Sequence, residues 1–237
     1  MDRARRGGPG KPAAVKRGSR RGGGEPADDA IALFPLNTVL FPKASLPLRI
    51  FEPRYKDMVE RCLATGSPFG VCLIQEGPEV GGVALPNVLG TLAEIKKADH
   101  KANGDIHITV EGKQRFRMVE EVKRSPIWLA RVETLEEPLG DQATAAEARN
   151  ELRASMSRYA NLYYLLTSKQ LFFEKHFRDP VRLSYYLADL LEVENGEKQA
   201  LLEAPDAATR LELELELMPV QNERLEQFWG DHKFSRN

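Results

Sequence analysis

The segment Leu33–Met58, LFPLNTVLFPKASLPLRIFEPRYKDM, restricts the fold more than any other part of the chain. Phe34, Leu36, Val39, Leu40, Phe41, Leu46, Leu48, Ile50 and Phe51 make it the densest apolar run, yet Pro35, Pro42, Pro47 and Pro53 interrupt it. Proline has no backbone N–H and a fixed φ, so it is tolerated at strand starts, edges, turns and the first turn of a helix. The run therefore divides into short strands, IALFPL and LPLRIF, joined by turns. Its apolar side chains are expected to fill a barrel, while the prolines remove edge donors that would otherwise invite pairing.

At Pro53 the period changes. Tyr55, Met58, Val59, Cys62 and Leu63 recur at i, i+3, i+4, i+7 and i+8, one apolar face of a helix, with Pro53 at its first position and Gly66 as its cap. Strand signals then resume. FGVCLIQ is a continuous apolar run fit for a buried strand, and LGTLAEIKKADH is a strand that becomes polar. Asn103-Gly104 marks a tight turn, and Ile106, Ile108 and Val110 alternate after it. Gly112-Lys113 is read as a further turn, followed by RFRMVEEV and IWLARVETL with Phe116, Met118 and Val132 inward. Six or more short strands of this kind predict a closed or nearly closed small β-barrel with one inserted helix.

Beyond Pro138 the pattern is helical. Leu152, Met156, Tyr159 and Tyr163 share one face of a long helix; SKQLFFEKHF is read as a shorter one. DPVRLSYYLADLL opens with Asp179 as N-cap and Pro180 at the first position, and its apolar face is Leu183, Tyr186, Leu187 and Leu190. EKQALLE is short. DAATRLELELELM alternates with a period of two, which argues for a strand. Leu and Glu are good helix formers and poor strand residues, so the segment is assigned to a helix with two apolar stripes, which Pro219 should kink or end. The fold class is α+β: a barrel over residues 30–138, then an all-helical bundle over 139–237, with residues 1–29 as a disordered basic tail.

That tail matters because the formal net charge of −1 conceals it. Residues 1–24 carry eight Lys/Arg against one acid, a net of +7 that leaves −8 on the rest. The tail has no apolar cluster to offset its ordering entropy. Its GGPGKP lacks the Gly and the Ser/Thr of a phosphate loop, having Arg5 and Pro12 at those places. Nucleic acid is therefore expected to be held, if at all, through residues 1–24, because the acidic body offers no basic recognition face. No apolar run approaches the ~18 residues of a membrane span. Cys62 and Cys72 read as buried free thiols of a reducing cytoplasm, and the four histidines have no metal-ligand spacing. No nucleophile elbow, zinc motif or dinucleotide fingerprint is present. Neither a metal nor a cofactor is expected.

The residues that carry a family likeness are the same ones. LFPLNTVLFPKASLPLRIFEPRYKDMV resembles the opening of the N-terminal substrate-binding domain of Lon proteases: an FPL strand, an LFP turn, an LPL-IFE-RY segment, then a helix. FGVCLI, GTLAEI, the NGD turn and GKQRF are similar to later strands of that family, and DPVRLSYYLADLL, KQALLE and RLELELELM to its helical region. The likeness runs from about Ala30 to Leu225 and implies a PUA-like barrel followed by helices. Lon proteases continue into an ATPase and a Ser/Lys protease domain, whereas this chain stops at Asn237 without a Walker A motif. The resemblance thus implies a stand-alone substrate-binding domain that is not an enzyme. Its expected partners are unfolded or specific polypeptides, and a protease or chaperone that it serves.

On this reading Phe34, Pro35, Leu36, Phe41, Pro42, Phe51, Glu52, Arg54, Tyr55, Gly112, Arg115 and Phe116 are structural. Glu52 is expected in an ion pair with Arg54 or at the helix N-terminus, with Arg115 as another possible partner. Binding is expected in a groove between barrel and helices or on exposed apolar side chains. Phe172, Phe173 and Tyr164 are the candidates, since neighbours on a helix point about 100° apart and cannot all face inward. The rival reading, a PUA-like nucleic-acid binder acting through its tail, makes a simple prediction. A salt-sensitive gel shift with RNA is expected to vanish when residues 1–24 are deleted.

Overall fold

The computed structural model describes residues 30–234, so the basic tail lies outside the described residues. Seven strands are seen: β1 (Ile31–Leu36), β2 (Ser45–Ile50), β3 (Phe69–Glu76), β4 (Leu85–Pro86), β5 (Leu89–His100), β6 (Ile106–Lys123) and β7 (Trp128–Thr134). Helix α1 (Pro53–Thr65) is inserted after β2, and α2 (Gln142–Thr167), α3 (Pro180–Leu190), α4 (Asn195–Glu203) and α5 (Ala207–Phe234) follow the strands. Among the described residues no helix is long and apolar enough to cross a membrane.

The strands close on themselves. β1 pairs with β7, β7 with β6, β6 with β5, β5 with β3, and β3 returns to β1 in parallel register. Closure leaves only β2 and β4 hanging on the circuit, β2 on β6 and β4 on β3. The prolines sit where a missing donor costs least. Pairing of β1 with β7 stops at Leu33 opposite Trp128, so Pro35 lies beyond it and faces only β3, opposite Cys72. Pro47 is exposed on β2, which pairs on one side only. Inside, Leu33, Phe41, Phe69, Val110 and Phe116 are fully buried. Helix α1 starts at Pro53, buries Tyr55, Met58 and Val59, and ends at Gly66, whose φ of 69° lets its N–H reach the Cys62 carbonyl at 2.8 Å.

Gly112 does not turn the chain. It lies inside β6, a strand of 18 residues, where Thr91 faces Arg115 but Ala93 faces Gly112, so β6 carries an extra residue at a bulge. The glycine is needed for a different reason. A Cβ there would overlap the carbonyl oxygen of Phe41. The Pro42–Ala44 turn lies flat on the bulge, with Lys43 N–H donating to the Gly112 carbonyl at 2.8 Å and Gly112 N–H to the Ala44 carbonyl at 2.9 Å. Two other motif readings also change. Phe51 is 44% exposed, with the Arg49 guanidinium 6.0 Å from its ring, and does not fill the barrel. Arg115 does not meet Glu52, which instead pairs with Arg54 at 2.9 Å.

In the helical half, Asp141 accepts from Thr144 N–H at 2.8 Å to start α2, and Asp179 accepts from Val181 and Arg182 N–H to start α3. SKQLFFEKHF is not a helix. Helix α2 stops at Ser168, in the left-handed region at φ 57°, and only one 3-10 turn forms, at His176–Arg178. Helix α5 runs parallel to α2: Asn222 donates to the Ser155 carbonyl at 3.2 Å, and Arg158 pairs with Glu226 at 2.6 Å. It passes through Pro219 without ending. Met218, Gln221 and Asn222 on either side are buried, and that packing outweighs the bond the proline deletes.

Gly112→Ala is expected to lower stability by about 2–3 kcal/mol, because the new methyl must displace the backbone of the Pro42–Ala44 turn. Denaturant unfolding of the two proteins measures this, and an unchanged midpoint contradicts the close approach.

Candidate functional site

Helix α4 ends where barrel and helices meet, and its last carbonyls have no partner within the helix. Two buried arginines take them. Arg115, from β6, donates Nη1 to the carbonyls of Leu202 and Ala204, both at 2.7 Å. Arg210, from α5, is fully buried and donates Nε to the Leu201 carbonyl at 2.8 Å and Nη1 to Ser184 Oγ at 2.9 Å. Cations at a helix C-terminus also complement its dipole. Glu137 balances the charge: its Oε1 accepts from Arg115 Nε at 3.0 Å, and its Oε2 accepts from the Tyr185 hydroxyl. Tyr185 in turn accepts from Arg210 Nη2 at 3.1 Å, and the Arg210 guanidinium lies 4.0 Å from its ring. Burial first, and the bond to Glu137, push the Tyr185 phenol above its ordinary pKa against the pull of Arg210. One turn below Arg210 lies Glu214, fully buried, with neither carboxyl oxygen bonded to a side chain or carbonyl. Burial raises its pKa well above the carboxylate range, and Arg210 only partly opposes this.

The Tyr185 edge of this junction opens into a cleft of about 720 Å³ between barrel and helices. One wall is the Pro42–Ala44 turn with Glu111 and Lys113 of β6; the other is Lys175, His176 and the exposed side of α3. The His176 imidazole stacks on Tyr186 at 4.1 Å and 9°. Its pKa is held below the ordinary value by burial, then by Lys175 and Arg182.

A second hollow, of about 480 Å³, lies at the far end of α2, between Ser157–Tyr164 and the returning residues 170–173. Around it Tyr164 is 55%, Leu165 47% and Phe172 72% exposed. Phe173 lines the hollow while being only 8% exposed, and it packs edge-on against Phe177 at 5.9 Å. The segment is irregular rather than helical, so neighbouring side chains separate, one outward and one into the core. Of the three aromatics expected to bind, Tyr164 and Phe173 line the hollow, and Phe172, next to Phe173 in the chain, is exposed outside that lining. Arg115 was singled out with the wrong partner. Arg210, Glu137, Tyr185 and Glu214 were missed, since Arg210 and Glu214 sit in a Leu/Glu alternation that looks like a solvated face. Among the described residues no group of three or more His, Cys, Asp or Glu is placed to hold a metal.

The described residues thus form a small closed barrel joined to helices, with concave surfaces at the joint and beside α2. The chain belongs to the ATP-dependent protease La (LON) substrate-binding domain family, whose model matches residues 30–219. It is 30% identical over 202 residues to Lon protease 1 of Thermus thermophilus, and 26% identical over 204 residues to the Lon protease of Syntrophus aciditrophicus. These alignments cover 83% and 84% of this chain but 25% of each relative, so the chain spans about a quarter of their length. The crystal structure of a Lon N-terminal domain protein from Xanthomonas campestris is similar over 80% of this chain and 99% of that one, at 29% identity and a TM-score of 0.58. The N-terminal domain of the Mycobacterium avium complex Lon protease shares the fold at 16% identity and a TM-score of 0.60, covering 80% of this chain.

The junction carries a pH prediction. Folded Glu214 keeps its proton to higher pH than the unfolded carboxyl, whose ordinary value is 4.5. Folding therefore takes up a proton above that pH, and stability falls as pH rises through the window, by up to ~1.4 kcal/mol per unit. Glu214→Gln should flatten this slope and be more stable than the parent at neutral pH. Denaturant unfolding from pH 4 to 9 checks it, and parallel curves for the two proteins contradict it.

Proposed function

We propose that this chain is a non-catalytic module that holds polypeptide segments, an adaptor in cytoplasmic protein quality control that presents clients to a protease or chaperone. The observation that carries the reading is the exposure of Tyr164, Leu165 and Phe172 beside a hollow that Tyr164 and Phe173 line, in a member of a substrate-binding family. Large apolar side chains grouped on a surface and rimmed by polar ones mark an interaction site. Aromatic rings suit the task because each offers much apolar area with few rotatable bonds to freeze. Such contacts read apolarity rather than an exact sequence, which fits capture of unfolded chains. The barrel and the helical part, residues 30–138 and 139–237, act on this proposal as one body clamped by Arg115 and Arg210.

The test is binding of the full chain to a fluorescein-labelled, chemically unfolded polypeptide. Phe172→Ser with Tyr164→Ser should weaken capture at least tenfold and leave the thermal midpoint nearly unchanged, since both side chains are largely exposed. Phe173→Ser should instead destabilise the fold, by about 3 kcal/mol. Undiminished capture by the double variant, or cleavage of the polypeptide by the pure protein, would refute the proposal.

A further inference from the structure

The cleft between barrel and helices carries charged side chains, which the lining of the hollow beside α2 lacks. Most of its acids are already engaged. Glu111 accepts from Lys113 at 2.9 Å, Asp179 caps α3 and pairs with Arg182 at 3.2 Å, and Glu137 is taken by Arg115 and Tyr185. Asp189 is the exception: it is in no ion pair, and the Lys198 ammonium nearby reaches only its backbone carbonyl, at 3.4 Å. Two bases are left over. Among the described residues Lys43 and Lys175, on opposite walls, are in no ion pair, although Lys43 lies near enough to Glu111 to help hold that carboxyl's pKa down.

Lys43 is also held there at a cost. Its φ of 69° is in the left-handed region, where a side chain bearing a Cβ loses roughly 1–2 kcal/mol. Glycine would relieve that strain. The bond from its N–H to Gly112, the bond from Ala44 N–H to the Phe41 carbonyl at 3.1 Å, and the missing Cβ of Gly112 together fix the turn and place Lys43 on the cleft wall. The volume of about 720 Å³ lies within the range of sites that bury a ligand-sized group.

We propose that this cleft is a second binding site, for acidic polypeptide segments, with a carboxylate side chain docking between Lys43 and Lys175. The proposal rests on the reading of the chain as a polypeptide holder, and adds to it a class of client contact that the aromatic hollow does not supply. The hollow takes apolar side chains, whereas the cleft takes Asp and Glu, with the stacked His176 and Tyr186 as a flat floor beside them.

The experiment compares a labelled peptide of alternating Glu and Ser with its Gln counterpart, using the full chain and fluorescence anisotropy. The Glu peptide should bind with an affinity that falls as salt rises, and the Gln peptide at least tenfold more weakly. Lys43→Glu with Lys175→Glu should cut binding of the Glu peptide at least tenfold while leaving capture of an unfolded apolar polypeptide intact. Phe172→Ser with Tyr164→Ser should do the converse, so failure of one site does not pass for failure of the other. Lys43→Gly with Lys175→Gln removes both charges while relaxing the backbone, and covers the case in which the charge reversals disturb folding. The basic residues 1–24 are common to all variants, so binding that persists undiminished in both lysine variants belongs to the tail and overturns the proposal. Equal affinity for the Glu and Gln peptides overturns it too. A single-stranded RNA that binds the parent more tightly than the Glu peptide, and is lost with the same two lysines, would reassign the cleft to nucleic acid.

Discussion

The barrel and the helices are joined at the C-terminal end of a nine-residue helix. Helix α4 is too short to be stable by itself, and its terminal carbonyls, buried, would each cost on the order of 1–3 kcal/mol if left without a donor. Arg115 and Arg210 supply those donors from a strand and a helix far apart in sequence. The result is mutual dependence. The arginines stay buried because the carbonyls, Glu137 and Tyr185 satisfy them, and α4 stays capped because the arginines are there. Polar networks of this kind tie elements into one arrangement more strictly than apolar contact does, since a shifted partner leaves a buried charge unpaired.

The barrel is organised around that demand. Arg115 reaches α4 from the strand segment just past the bulge in β6, and the bulge exists beside Gly112. Without the glycine the Pro42–Ala44 turn would be pushed off the strand, and the cleft would lose one wall. Closure of the circuit through the parallel pairing of β1 with β3 then fixes β6 relative to the rest. Local backbone chemistry at one residue thus sets both an internal bond and an outer surface.

Much of this was legible in the sequence. The prolines of residues 35–53 predicted breaks and edges, and strands and edges are where Pro35 and Pro47 lie. Asp179 starts a helix, and Gly66 ends one, through local rules that tertiary packing did not override. The misreadings share a cause. Gly112 reads in isolation as a turn, whereas long-range packing decides its surroundings, with the Pro42–Ala44 turn pressed against it. Phe172 and Phe173 were read on a helix that does not form, so the pair was found but its division was not. The junction was illegible because Arg210 and Glu214 have the spacing of a solvated helix face. Only the three-dimensional meeting of α3, α4 and α5 shows that this face is covered.

The loop between α2 and α3 has one more property. Phe173 lines the hollow and Lys175 the charged cleft, and two residues of chain reach no further than ~7 Å. One short stretch of this loop therefore contributes to both concavities. A client chain with an apolar stretch and an acidic one a short distance apart would engage both. Its second contact would form at an effective concentration on the order of millimolar. Weak grips, each easily released, would then add to a firm hold on extended chains and to almost none on folded proteins, whose apolar and acidic groups cannot both leave their surface to wrap around the loop. Selectivity for the unfolded state would follow from avidity, with neither site needing high affinity alone.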